Sequence, residues 1–135
     1  MAMNTEMNMP ASADIVIEEL SPEFSICKVP DYSGIDMEQP FVFSGCTDLE
    51  KSLVCPIEMV PQNADHRDDE WKAFRICGEL DFSLVGILAG ITNVLASAGI
   101  GIFAVSTFNT DYVLVKKEKL KEALSSLAEA GYQIR

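Results

Sequence analysis

The chain is poor in basic residues and in histidine, and it has no long apolar segment. Ten lysines and arginines stand against 21 aspartates and glutamates, which gives a formal net charge of −11 at pH 7. A surface with this charge repels the phosphates of nucleic acids and the anionic face of a membrane, because binding to both depends on basic groups. The sequence therefore predicts no nucleic-acid partner and no membrane partner.

A signal peptide and a membrane-spanning run are also missing from the pattern. Residues 1–12 are rich in methionine and polar side chains, and they lack the basic start and apolar core of a secretory signal. The longest apolar stretch, residues 82–100, is interrupted by glycine, serine, threonine and asparagine. We expect this stretch to form a buried helix and the protein to be cytoplasmic.

Residues that carry metal or redox chemistry are few. His66 is the only histidine, and the cysteines, Cys27, Cys46, Cys55 and Cys77, include no CxxC pair. Neither zinc-site spacing nor a redox motif is present, so we predict no metal and no cofactor. The cysteines lie mostly in apolar runs, where free cysteine packs as a small hydrophobe, and we expect buried, reduced thiols. Because His66 falls in a polar loop, no serine or cysteine has an evident base, which argues against an enzyme.

Shifts in composition predict four segments. These are a flexible leader at 1–12, a strand-rich unit at 13–61, an acidic loop at 62–70 and a unit with helices at 71–135. In the strand-rich unit, two alternating runs flank Ser21-Pro22-Glu23, a turn signal, and predict a β-hairpin over residues 14–29.

The unit at 71–135 shows a clear alternation of strand and helix patterns. The order is a strand at 71–77, a helix starting near Asp81 or Ser83 and closed by Gly99, a central strand at 100–105 buried on both faces, a tight turn at 107–110, a strand at 112–115, a helix with the apolar stripe Leu120, Ala123, Leu124 and Leu127, and a closing strand at 132–134. This βαββαβ order predicts an α+β, ferredoxin-like fold, an antiparallel sheet with both helices on one face.

Two segments of the second half carry a more specific pattern. Residues 81–88 (DFSLVGIL) and 98–115 (AGIGIFAVSTFNTDYVLV) resemble the ACT-domain family, in particular small prokaryotic tandem-ACT proteins, and are similar to the ACT repeats of eukaryotic cytosolic arginine sensors. The resemblance extends more weakly over residues 14–61. It implies two ACT-like units, the first smaller and degenerate, and a non-enzymatic regulatory module that binds a free amino acid where ACT units meet, in a homodimer.

The resemblance also implies a ligand site. Its residues are Ser83, Leu84, Val85, Gly86, Ile87, Thr107, Phe108, Asn109, Thr110 and Asp111. Backbone N–H groups at a helix start would bind the ligand carboxylate, and Asp111 would bind its ammonium group. Leu84 stands where the arginine sensors carry an acidic residue, which favours a smaller or more apolar ligand.

Plainer interpretations of the same residues remain open. Asp111 is also suited to cap the turn through a local hydrogen bond, and Ser83 to cap the helix. A ligand-free interaction module that docks on a partner enzyme or regulator is the main alternative function. The sequence leaves open which amino acid is bound and which pathway is served.

Overall fold

The computed structural model describes residues 14–77 and 86–135, which fall into two units. The first unit contains residues 14–20 and 73–135, and the second contains residues 21–72. In the described residues the elements are β1 (Val16–Lys28), β2 (Phe43–Cys46), β3 (Lys51–Pro56), a 3₁₀ turn (Ile57–Met59), β4 (His66–Ile76), α1 (Ile87–Ser97), β5 (Phe103–Ser106), β6 (Asp111–Lys116), a 3₁₀ turn (Lys117–Lys119), α2 (Leu120–Glu129) and β7 (Gln133–Ile134).

The first unit has the predicted α+β architecture. Its strands lie in the order β7, first part of β1, last part of β4, β6 and β5. The β5–β6 pair is antiparallel, whereas β7 pairs parallel with β1. The ferredoxin-like order of elements is confirmed, and β1 adds one strand between β7 and β4.

A single core joins the sheet and both helices of the first unit. It is formed by buried residues of the strands, of α1 and of α2, namely Ile15, Ile17, Phe74, Ile76, Ile87, Ile91, Leu95, Ile100, Val113, Val115, Ala123 and Leu127. The apolar stripe predicted for the second helix is therefore the buried one. Gly99 and Gly131 follow the two helices with φ angles of 76° and 103°, which is the left-handed conformation that glycine adopts at helix ends.

The second unit contains strands in the order β2, β3, last part of β1 and first part of β4. Both β2–β3 and β1–β3 are antiparallel. One core cluster of this unit contains Cys27, Val29, Leu53 and Cys55, and Phe24 and Val54 are buried as well. A 3₁₀ turn at Ile57–Met59 follows β3.

The hairpin predicted at residues 14–29 is absent, since β1 is one continuous strand. Its pairing with β7 involves Val16 and Ile17, and its pairing with β3 begins only at Phe24. Pro22 lies between these two ladders, where the N–H it lacks is required by neither. The turn signal is thus overridden by strand pairing on both sides of it.

Three further strand and helix limits differ from the predictions. The strand β4 begins at His66, inside the predicted acidic loop. Just before it, the N–H of Asp65 donates a hydrogen bond to the carbonyl of Lys28 at the end of β1 (2.8 Å), so the backbone here is paired with a strand. The strand β5 is not central but terminal in the strand order, and its residues are half-buried or exposed. The helix α1 begins at Ile87, because Gly86 before it has a φ of 81°, which cannot occur within an α-helix; residues 81–85 lie outside the described residues.

Candidate functional site

The turn between β5 and β6 is tight, as predicted. The N–H of Thr107 donates to the carbonyl of Thr110 (2.8 Å), and the Thr107 hydroxyl donates to the same oxygen (3.0 Å). Phe108 and Asn109 form the tip, and the Phe108 side chain is 80% exposed. A large aromatic ring is therefore presented to the outside of the chain by a well-ordered turn.

Asp111 begins β6 directly after this turn. The Ser106 hydroxyl donates to Asp111 Oδ1 (2.6 Å), and Ser106 and Asp111 are paired across the two strands. This hydrogen bond holds the carboxylate in place. It differs from the predicted capping interaction within the turn, because its donor is a side chain on the opposite strand.

Thr110 has a structural task. Its side chain is buried, and its hydroxyl donates to the carbonyl of Ile76 (2.8 Å). The turn is thereby tied to the end of β4. Because the hydroxyl donates its proton in this bond, the Thr110 oxygen can only accept a hydrogen bond from a ligand.

The helix start offers backbone N–H groups one turn later than predicted. The carbonyl of Gly86, which precedes α1, accepts a hydrogen bond from Gly90 N–H (2.8 Å), and no side chain of the described residues caps the helix. The first N–H groups of the helix are therefore those of Ile87 and the two residues after it. Gly86 occupies the N-cap position, while Ser83, which was predicted to cap the helix, lies outside the described residues together with Leu84 and Val85. Whether these residues bind a ligand stays a prediction.

A polar cleft of about 230 Å³ lies in the first unit. It is lined by Glu18, Arg75, Ile76, Cys77, Asn109, Thr110, Tyr112 and Arg135. Only Asn109 and Thr110 belong to the predicted ligand set. The sequence signal for the charged lining residues is their placement next to apolar residues in strands. Glu18 follows buried Ile17, and Arg75 lies between buried Phe74 and Ile76.

The Glu18 carboxylate in this cleft contacts two guanidinium groups. Arg75 Nε donates to Glu18 Oε1 (3.0 Å), and Arg135 Nη2 lies 3.4 Å from Glu18 Oε2. The hydrogen bond from Arg75 and the charge of Arg135 hold the pKa of Glu18 below its usual value. Hydrogen bonds with Tyr112 and Glu18 raise the pKa of the Arg75 guanidinium.

The cysteines fall into three environments. Cys27 and Cys55 are 3% and 0% exposed, as predicted, whereas Cys46 is exposed and Cys77 is half-buried. The expectation of buried thiols applied to the cysteines in apolar runs, and it is met only in part by Cys77, which lines the cleft; Cys46, which ends β2, is outside those runs. All four are free thiols.

The buried thiols of Cys27 and Cys55 share a hydrogen bond. That bond and one with Ser25, whose Oγ lies 3.3 Å from Cys27 Sγ, lower the pKa of Cys27 to about 6. The bond with Cys27 and burial raise the pKa of Cys55.

Metal ligands do not gather in the part of the chain that the structure describes. Across residues 14–77 and 86–135, no group of three or more His, Cys, Asp or Glu side chains is placed to hold a metal ion. Within the same ranges, no helix has the length and apolar character needed to cross a membrane.

Comparisons with known proteins place these features in a family. A family model for the ACT domain matches residues 66–129. The crystal structure of protein Atu0741 from Agobacterium tumefaciens is 32% identical to this chain, with a match that covers 90% of this chain and 92% of that one and a TM-score of 0.80.

Two more distant structures share the fold. A Vibrio cholerae protein of unknown function, described as a possible transport protein, is 18% identical over 97% of this chain and 99% of its own, with a TM-score of 0.73. The regulatory subunit of aspartate kinase from Thermus thermophilus is 14% identical over 81% of this chain and 93% of its own, with a TM-score of 0.56. On the family model and the Agobacterium relative, the chain belongs to the ACT-domain family.

Proposed function

We propose that this protein is a non-enzymatic regulatory module that binds a free amino acid where two ACT units meet in a homodimer. The observation that carries the proposal is the turn at residues 107–110. It presents an exposed aromatic ring, Phe108, and is followed directly by Asp111, whose carboxylate accepts a hydrogen bond from Ser106. A carboxylate held in place and an exposed aromatic ring each attract the ammonium group of an amino acid.

The need for a second ACT unit follows from exposure. A ring that is 80% exposed supplies one wall and cannot enclose a ligand by itself, whereas small-molecule sites bury most of the ligand surface. Among the described strands, β5, which leads into the turn, is the last in the strand order. Exposed strand edges are normally covered, so we place an ACT unit of the partner protomer at this edge.

A repeated hairpin supports a tandem arrangement of ACT units. The β2–β3 hairpin of the second unit matches the β5–β6 hairpin of the first at an offset of 60 residues, including strand lengths, register and the 3₁₀ turn that follows. The Thr47 N–H donates to Glu50 O (2.9 Å), as the Thr107 N–H does to Thr110 O. This match supports a first half built as an ACT-like unit with the same turn.

Thermal unfolding of the full chain against the twenty amino acids at millimolar concentration tests the proposal. A ligand at about one hundred times its dissociation constant stabilises the folded state by about 2.7 kcal/mol, which raises Tm by several degrees. We expect one amino acid or a small related set to do so. No shift with any of them would contradict the proposal and favour the ligand-free docking module.

Variants of Asp111 locate the site. Asp111→Asn keeps an acceptor for Ser106 and removes the charge, and we expect it to abolish the ligand-induced shift while Tm without ligand changes little. Asp65→Ala, which removes a carboxylate from an exposed position in the second unit, is the control and should retain the shift. A ligand response that persists in the Asp111 variant would exclude this turn as the site.

A further inference from the structure

The polar cleft of the first unit has an excess of positive charge, although the chain as a whole is acidic. The sequence contains three arginines, Arg67, Arg75 and Arg135, and two of them line the cleft. Glu18 has the only carboxylate side chain among the eight lining residues. The side chains that form the cleft therefore carry two positive charges and one negative charge.

Hydrogen-bond donors remain available in the cleft after the ion pairs are made. Arg135 contacts Glu18 through Nη2 alone and is 65% exposed, and a guanidinium group has five N–H donors. Asn109 adds a carboxamide at the turn, on an exposed residue. Arginine donors in this arrangement match a planar carboxylate, which accepts two parallel hydrogen bonds from one guanidinium.

The charge and size of the cleft restrict the ligand. The net positive charge of the lining side chains is neutralised by one carboxylate, whereas a dianion would leave a net negative charge beside Glu18. A volume of about 230 Å³ accepts a molecule of about ten non-hydrogen atoms, since a cavity of about 150 Å³ holds benzene. The Tyr112 ring and the half-buried Cys77 thiol supply surface for a short apolar or polarisable tail.

We infer that this cleft binds a small organic monocarboxylate, with Arg135 bonded to the carboxylate, Arg75 adding positive charge beside it, and the tail directed toward Cys77. The site lies within one unit and contains neither Phe108 nor Asp111. It shares only Asn109 and Thr110 with the predicted amino-acid site, and it does not depend on that proposal.

Cys77 provides a direct test, because iodoacetate is itself a small monocarboxylate and iodoacetamide is its neutral counterpart. In both reactions the cysteine thiolate attacks the methylene carbon, a sulfur–carbon bond forms, iodide leaves with the bonding electrons and the thiol proton passes to solvent. The measured quantity is the ratio of the two alkylation rates at Cys77, resolved from that at the exposed Cys46 by peptide mass spectrometry. We expect the ratio at Cys77 to exceed that at Cys46 by about tenfold, from one charge-assisted hydrogen bond.

Two arginine variants separate binding from the general field of the protein. Arg135→Gln and Arg67→Gln each remove one positive charge, but Arg67 lies in the second unit and pairs with Asp69. The Arg135 variant should lower the ratio at Cys77 to that at Cys46, and the Arg67 variant should leave it unchanged. Propionate should protect Cys77 from iodoacetamide in the wild type and not in the Arg135 variant.

Several outcomes would overturn the inference. Equal ratios at the two cysteines, or equal effects of the two arginine variants, would show that no carboxylate is held in the cleft. A Cys77 that reacts with neither reagent while Cys46 reacts with both would show that the cleft is closed to small molecules. Stronger protection by inorganic phosphate than by propionate would exclude the assignment to a monocarboxylate.

Discussion

Truncation of Leu53 tests the core of the second unit. Leu53 in β3 is 0% exposed and belongs to the cluster of Cys27, Val29 and Cys55. Replacement by alanine removes three carbon atoms from a closely packed site, which costs about 0.8 kcal/mol per carbon in transfer free energy. The cavity left behind adds to this, so Leu53→Ala should lower the free energy of unfolding by about 2–5 kcal/mol.

Leu49 gives the matched control within the same unit. It lies in the turn between β2 and β3 and is 86% exposed. Leu49→Ala removes the same atoms from a position where they are already in water, and surface changes of this kind are usually worth less than about 0.5 kcal/mol. The difference between the two variants therefore isolates burial from the chemistry of the substitution.

Urea unfolding followed by tryptophan fluorescence is the appropriate assay. Trp71 is the only tryptophan of the chain and lies in β4, in the second unit. We expect Leu53→Ala to lower the unfolding midpoint with little change in the slope of free energy against urea, because a changed slope indicates an altered compactness of one state. A cost below about 1 kcal/mol for Leu53→Ala, or an equal cost for Leu49→Ala, would refute the assignment of this core.

Two further predictions concern charge and backbone conformation. The pKa of Glu18 is lowered in the folded state, so its ion pairs stabilise the fold at pH values above the unfolded pKa of about 4.5. This contribution is lost as pH falls through the folded pKa. The urea midpoint of Glu18→Gln should therefore decrease less between pH 7 and pH 3 than that of the wild type. Gly99 has a φ of 76° and open space around it, so Gly99→Ala should destabilise by about 1 kcal/mol through the backbone alone, whereas Gly101→Ala, equally open and without a positive φ, should not. Thermal unfolding of the two glycine variants checks this, and equal Tm values would contradict it.

The helices could be predicted because their periodicity follows from local geometry. The spacing of Ala123 and Leu127 predicted which face of α2 is buried, and the structure buries both side chains. The position of the apolar run at residues 100–105 was harder to predict, since a continuous apolar run does not show whether the strand is central or at an edge of the sheet. Ile100 is buried in the core immediately after α1, whereas β5 begins only at Phe103 and lies at the end of the strand order.

The cleft could not be predicted from sequence, because its residues come from four separate parts of the chain. Glu18, Arg75, Tyr112 and Arg135 lie in or next to β1, β4, β6 and β7. Their meeting depends on the strand order, and the insertion of β1 between β7 and β4 has no counterpart in the local pattern. The turn signal at Pro22 predicted a hairpin, and for this reason the continuous strand β1 was not predicted.

The turn at residues 107–110 takes part in both proposed sites, and this determines which variants can separate them. Asn109 and Thr110 belong to the predicted amino-acid site and also line the cleft, and the Thr110 hydroxyl bonds the carbonyl of Ile76 in the cleft wall. A substitution at either residue would disturb both sites and could not assign an effect. Asp111 belongs only to the first site and Arg135 only to the second, so independent losses in these two variants would establish two sites. Loss of both responses in each variant would instead show that the turn and the cleft bind one ligand together.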